Sequence, residues 1–274
     1  MKKLPQILVL IFFIAPFSSC QKHDANDSTP TYDLIIEGGI NSLTHYQFIR
    51  ISKPADLYSK PSQPVSGAKV VVNDGSKDVV FTEIPGKGVY TASIINNKNY
   101  NDPYKLTVAY EGKYYTATDL MPAVLPVDSS YIPLSVKSKD NGYQVTIPKH
   151  IFGVSVAQRW LIISTNQRWR PSQFDGKNKY NYSHTFGAPN ALNPLKQQQY
   201  IINTRPDDSL KIYKFSLSYT YSTYLYNIFQ ETDWRGVLSS TPANVKGNIS
   251  GNANGFFYAI DVDTIIRAVK DLNN

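Results

Sequence analysis

Residues 69–82 read KVVVNDGSKDVVFT: a β-branched run, a turn, and a second β-branched run. Val70, Val71 and Val72 favour extended backbone because branched side chains fit a pleated surface. Asn73-Asp74-Gly75 supplies residues that tolerate positive φ, as a tight hairpin demands. Val79-Val80-Phe81-Thr82 is then the return strand. The turn has a superficial likeness to a calcium loop. It lacks the alternating ligands and the closing glutamate, so it reads as a hairpin.

Working outward, the same grammar repeats. Leu34-Ile35-Ile36-Glu37 is a strand with a break expected at Gly38-Gly39. Tyr46 to Ser52 (YQFIRIS), Gly88 to Ala92 (GVYTA) and Tyr104 to Tyr110 (YKLTVAY) follow. Glu111-Gly112-Lys113 turns the chain back into Tyr114 to Thr118. Short strands with regular turns predict an all-β sandwich over 32–125. The proline-rich stretch 121–133 (MPAVLPVDSSYIP) interrupts any strand or helix, so a boundary is placed there.

Residues 126–274 are expected to form a second β-rich domain with one or two short helices. Tyr143–Ile147, Trp160–Ser164, Lys211–Tyr221 and Phe256–Val262 read as strands. Between Arg168 and Gln199 lies a long polar stretch of the kind that is often functional. Ser222-Thr223 is read as a helix cap, with Tyr224, Leu225, Ile228 and Phe229 at helical spacing and an end near Trp234-Arg235-Gly236. Thr264–Leu272, with Ile265, Ile266 and Val269 on one side, is read as a C-terminal helix. The fold class expected is therefore mainly β.

The N-terminus carries a different signal. Lys2 and Lys3 precede an apolar run from Leu4 to Phe17, then Ser18-Ser19-Cys20. A positive start, a short apolar core and small residues before a cut are the marks of a removed targeting segment, residues 1–19. The 14-residue core would rise about 21 Å as a helix, short of the roughly 30 Å hydrocarbon layer. Cys20, the one cysteine of the chain, matches the bacterial lipobox, with Phe17 standing where an aliphatic residue is usual. Lipid attachment at Cys20 is expected; the alternative is an ordinary signal with a chance cysteine. Residues 20–31 read as a flexible tether. Asp24 and Asp27 within it fit either a surface-export signal or a solvated linker.

The charge of +7 over 274 residues falls to +5 once residues 1–19 are removed, spread over many lysines. With no basic block of five or more, nucleic-acid binding has little support. The 20 tyrosines fit half-buried rings of a β fold, or a surface lined with rings for a sugar or peptide. His23, His45, His150 and His184 show no metal-ligand spacing, and neither a metal nor a cofactor is expected. No Walker loop, dinucleotide fingerprint, HExxH or GxSxG occurs. Asp261 and Asp263, alternating along a strand, read as a solvated face. All three tryptophans adjoin an arginine: Arg159-Trp160, Arg168-Trp169-Arg170 and Trp234-Arg235. Trp160, Trp169, Arg170, Trp234 and Arg235 form the candidate binding surface, against the plainer reading of buried Trp with solvated Arg.

Several pieces in order carry a resemblance: LIIEGGI, PVSGAKVVVNDG, IPGKGVYTA, YKLTVAYEGKYYTATDLMPAVLPVDSSY, YSTYLYNIFQ and TPANVKGNISGNANGFFYA. Together with the lipoprotein start they resemble the Bacteroidota lipoproteins of domain-of-unknown-function family 4249. Gly67 to Tyr90 also looks like carboxypeptidase-regulatory and related immunoglobulin-like sandwiches. The resemblance implies an outer-membrane lipoprotein, on the periplasmic or cell-surface face, accessory to a TonB-dependent transporter. It carries over no catalytic residues, so a non-enzymatic role is expected. A surface glycan-binding or adhesion module is the alternative, and an unrecognised hydrolase the third.

Overall fold

The computed structural model describes residues 32–55, 62–95, 98–129, 131–174, 179–185, 187, 199–233 and 245–272. The targeting segment, Cys20 and the tether lie outside the described residues, as do Trp234 and Arg235.

Seven strands come first: β1 (Leu34–Asn41), β2 (Tyr46–Ser52), β3 (Lys69–Asn73), β4 (Asp78–Ile84), β5 (Val89–Ser93), β6 (Tyr104–Tyr110) and β7 (Lys113–Asp119). The rest supplies β8 (Ser135–Lys139), β9 (Gly142–Pro148), β10 (His150–Phe152), β11 (Gln158–Ser164), β12 (Tyr180–His184), β13 (Gln199–Thr204) and β14 (Ser209–Ser216). Helix α1 (Tyr219–Thr232), β15 (Ala253–Ile260) and β16 (Val262–Ala268) close the chain. The class is mainly β.

The first sheet runs β15-β1-β2-β5-β4-β3-β6-β7. Strand β4 pairs with β3 through Val79–Phe81 and with β5 through Thr82–Ile84, so it carries the sheet from one half to the other. Between the halves lies a core containing Ile36, Ile51, Val72, Tyr90, Leu106 and Phe257. Ser250 and Asn248 bridge toward β7: the Ser250 amide donates to the Thr116 carbonyl at 2.7 Å, and Asn248 Nδ2 donates to the Thr118 carbonyl at 3.0 Å. The hairpin at 73–78 forms as read. Gly75 takes φ +93°, and Asp74 Oδ1 accepts from the Ser76 and Lys77 amides, which commits that carboxylate to the turn. Tyr90 packs inward and its hydroxyl donates to the Val65 carbonyl at 2.9 Å while accepting from the Ala68 amide, which clamps the segment before β3.

The expected boundary near residue 125 does not divide the sheets. Strand β15, from far beyond it, runs parallel to β1 as the outer strand of the first sheet. The glycines read as a break explain this. Gly38 and Gly39 lie inside β1, where a Cβ on Gly39 would sit 1.9 Å from the Tyr258 carbonyl oxygen and one on Gly38 2.3 Å from that of Phe48. Their missing side chains admit β15 on one side and β2 on the other.

A five-stranded sheet, β10-β12-β11-β14-β16, forms the middle of the second half. One face packs Trp160, Ile162 and Ile212 against Val145 and Ile147 of the small β13-β9-β8 sheet. The other packs Leu161, Tyr213 and Phe215 toward Tyr221 of α1 and Phe256 of β15. Only Asp261 separates β15 from β16, so one residue passes the chain between the two large sheets.

Three local expectations change. Helix α1 starts at Tyr219, capped by Ser218 Oγ accepting from the Tyr221 amide at 3.1 Å, so Tyr219–Tyr221 are helical rather than the end of a strand. Residues 262–268 form β16 rather than a helix, because β14 offers an open edge that pairs from Phe215↔Val262 to Ser209↔Ala268; only Val269–Leu272 turn, as 3-10. The polar stretch 168–199 holds β12, which pairs with β11 through Trp160↔Asn181 and its neighbours.

Candidate functional site

Strand alternation places Arg159 and Trp160 on opposite faces of the five-stranded sheet. Arg159 stands opposite Tyr182 on β12 and Phe215 on β14. Its guanidinium carbon lies 3.4 Å over the ring of Tyr180, two residues from Tyr182 on the same face, and 5.5 Å from the centroid of Tyr182. From the helix side, Tyr221 approaches, its hydroxyl accepting from Nη1 at a long 3.4 Å. Tyr221 in turn stacks on Tyr258 and Phe256 of β15, at centroid distances of 5.1 and 4.8 Å.

These rings enclose a cavity of about 360 Å³. Trp169 and Phe174 add to its wall, and Tyr224, Tyr200 and Gly38 of β1 line it further. Burial pushes the hydroxyls of Tyr224 and Tyr258 up to about 12, so both are neutral donors at physiological pH. Burial opposes the charge on Arg159, but its net shift is upward, and a guanidinium stays protonated in proteins. The arginine is charged.

Three charged groups line the cavity: Glu37, Lys149 and Arg159. Glu37 accepts from Arg50, whose Nε is 3.0 Å away. Lys149 pairs with Asp233 at 2.5 Å. Arg159 has no carboxylate partner among the described residues, and its Nε is sealed from solvent without a hydrogen-bond partner. Serine, cysteine, histidine and aspartate are absent from the described lining. A larger cleft of about 950 Å³ adjoins it, sharing Gln173 and Tyr200 and carrying Arg168, Arg170, Lys179 and Lys211.

The fold also unites two histidines that the sequence leaves apart. His150 Nδ1 lies 3.0 Å from His184 Nε2, and His150 Nε2 lies 3.2 Å from Asp233 Oδ2. With Asp233 accepting, His150 carries its proton on Nε2 and His184 donates to Nδ1; this follows from the network. Burial lowers both, His184 to about 3. Phe229 of α1 packs 3.9 Å from His150 between ring centroids. The cluster pins α1 to the sheet, and no group of three or more metal-ligating side chains is placed to hold an ion among the described residues.

Residues 22–266 match the family described as a domain of unknown function, DUF4249. The chain belongs to that family. No curated protein matches it. Among solved structures, the FN1-FN3 domains of chicken CNTN1 align at 14% identity with a TM-score of 0.24, over 66% of this chain and 57% of that one.

Against this DUF4249 fold, the tryptophan–arginine surface expected from sequence comes apart. Trp160 is 1% exposed and lies in the core on the far face, with Lys214 Nζ 5.2 Å over its ring. Trp169 lines the tyrosine cavity, whereas the exposed Arg170 lines the adjoining cleft. Trp234 and Arg235 are outside the described residues. The expected solvated face at Asp261 and Asp263 is a junction instead. Asp261 is 2% exposed and accepts from Tyr100 Oη at 2.8 Å and the Val124 amide at 3.0 Å; Asp263 accepts from the Val127 amide at 2.7 Å. What sequence reasoning missed is Arg159 itself. Tyr180-x-Tyr182, Phe256-x-Tyr258 and Tyr221-x-x-Tyr224 each mark an aromatic face, and this signal could have drawn attention to the surfaces around it.

Proposed function

We propose that this chain is a lipid-anchored, non-enzymatic binding protein of the outer membrane, accessory to a TonB-dependent transporter, and that it holds its ligand in the tyrosine-lined cavity. The cavity carries this reading: rings on three sides surround an arginine with no carboxylate partner among the described residues. A pocket of this size with aromatic walls and convergent polar groups has the ordinary features of a small-ligand site. In the described lining the one carboxylate, Glu37, is engaged by Arg50 and no nucleophile stands beside a base, which favours binding over hydrolysis. Lipidation at Cys20 supplies the anchor in this account. No described helix is long and apolar enough to cross a membrane.

Mild detergent extraction of the full-length protein tests the proposal. An outer-membrane barrel is expected to co-purify, and Cys20→Ser to release the protein into the soluble fraction. Repeated isolation as a lone monomer, or membrane retention of Cys20→Ser, contradicts it. The second reading, a surface glycan-binding module, draws support from the same ring faces and places the ligand in the same cavity without a transporter.

A further inference from the structure

We infer that the tyrosine-lined cavity takes an acidic saccharide, with the anionic group on Arg159 and the sugar ring against the tyrosines. This deepens the binding role proposed above and rests on it. The charge pattern points there. Glu37 and Lys149 already have partners in Arg50 and Asp233, which leaves Arg159 as the uncompensated charge of the described lining. Of its five N–H donors, one makes a long bond to Tyr221 and Nε has no partner. The ring of Tyr180 offsets part of this through a cation–π contact. A half-buried ion without a counter-charge still loses solvation that an anion would replace. A carboxylate or sulfate meets the remaining donors in two-pronged fashion, which a neutral group cannot do.

The walls select a sugar among anions. Six tyrosines of the described lining bring ring faces against which the C–H face of a sugar packs, with phenol hydroxyls at their edges for its polar groups. The adjoining cleft extends the argument to more than one sugar. It shares Gln173 and Tyr200 with the cavity, and among the described residues its lining holds four cationic side chains and no carboxylate. Successive acidic units of one oligosaccharide would occupy cavity and cleft together.

The test is calorimetric titration of the full-length protein in detergent with oligogalacturonate, with its fully methyl-esterified form, and with a sulfated galactan oligomer. The acid and the sulfated oligomer are expected to bind, and the ester at least tenfold more weakly. Oligogalacturonate binding weakens at least tenfold in Arg159→Met. If that variant fails to fold, Arg159→Lys and the exposed Arg170→Gln take its place, each expected to weaken binding at least threefold. Binding of the acid alone or of the sulfated oligomer alone assigns the anionic group and supports the inference. Equal binding of acid and ester, lost in Tyr224→Ala, overturns the acidic assignment and leaves the cavity as the binding site. Failure of every oligosaccharide to bind overturns the saccharide; the cavity's role then stands or falls on whether the extracted protein carries any small molecule there.

Discussion

The guanidinium of Arg159 lies 3.4 Å above the ring of Tyr180. This contact holds a charge in a place with no neighbouring carboxylate among the described residues, and it fixes the side chain whose donors remain available. Tyr180→Leu is expected to destabilise the fold by roughly 1–2 kcal/mol more than Tyr180→Phe, because the phenylalanine keeps the ring face. Urea denaturation of the two variants checks this. Equal losses would show that the stack contributes nothing.

Asp119 joins three elements: β7, the start of α1 and β15. Its carboxylate accepts from Thr220 Oγ1 at 3.2 Å and from the Ala259 amide at 2.9 Å. Burial raises it to about 6. A raised carboxylate favours its neutral form, so its contribution is present below about pH 4 and is lost as pH rises through about 6. The difference is on the order of 3 kcal/mol. Relative to wild type, Asp119→Asn should therefore gain about that much between pH 4 and pH 7.5 in denaturation midpoints. A difference that stays flat with pH contradicts the assignment.

His184 behaves in the opposite sense. Burial and the nearby His150 lower it to about 3, so it stays neutral in the fold. The unfolded chain binds a proton near pH 6.5, so stability is full above that and declines as pH falls toward 3. The ring protons of His184 should show no titration between pH 5 and 8 in NMR spectra. A midpoint near 6.5 would mean that the ring is accessible to water.

Gly39 brings β1 against β15. A methyl group there meets the Tyr258 carbonyl oxygen at 1.9 Å, a backbone atom that cannot swing aside, and the Tyr258 ring at 2.7 Å. Gly39→Ala should cost about 2–4 kcal/mol, whereas Gly86→Ala, where a Cβ meets nothing within 4 Å but φ is +68°, should cost about 1 kcal/mol. Thermal melts of both variants measure this. If Gly39→Ala is the milder, β15 does not sit where the parallel ladder puts it.

The local elements were legible because their signals are local. The Asn73–Asp78 hairpin and the strand at β11 follow from turn chemistry and alternation. The return of β15 was not legible, since it depends on glycines that read equally well as a strand break. Ile265, Ile266 and Val269 fit a helix by spacing, and the open edge of β14 decided for a strand. The tryptophans drew attention on composition, yet alternation sends Trp160 into a core and leaves its neighbour Arg159 at the cavity. His150 and His184, 34 residues apart, meet only through the parallel pairing of β10 with β12.

The central claim is that the cavity around Arg159 holds a ligand, and native mass spectrometry of the full-length protein extracted in mild detergent tests it most directly. The account predicts that the wild-type protein carries a non-covalent small molecule that Arg159→Met and Tyr224→Ala both lack. A wild-type protein that is bare, or variants that carry the same mass, would contradict it.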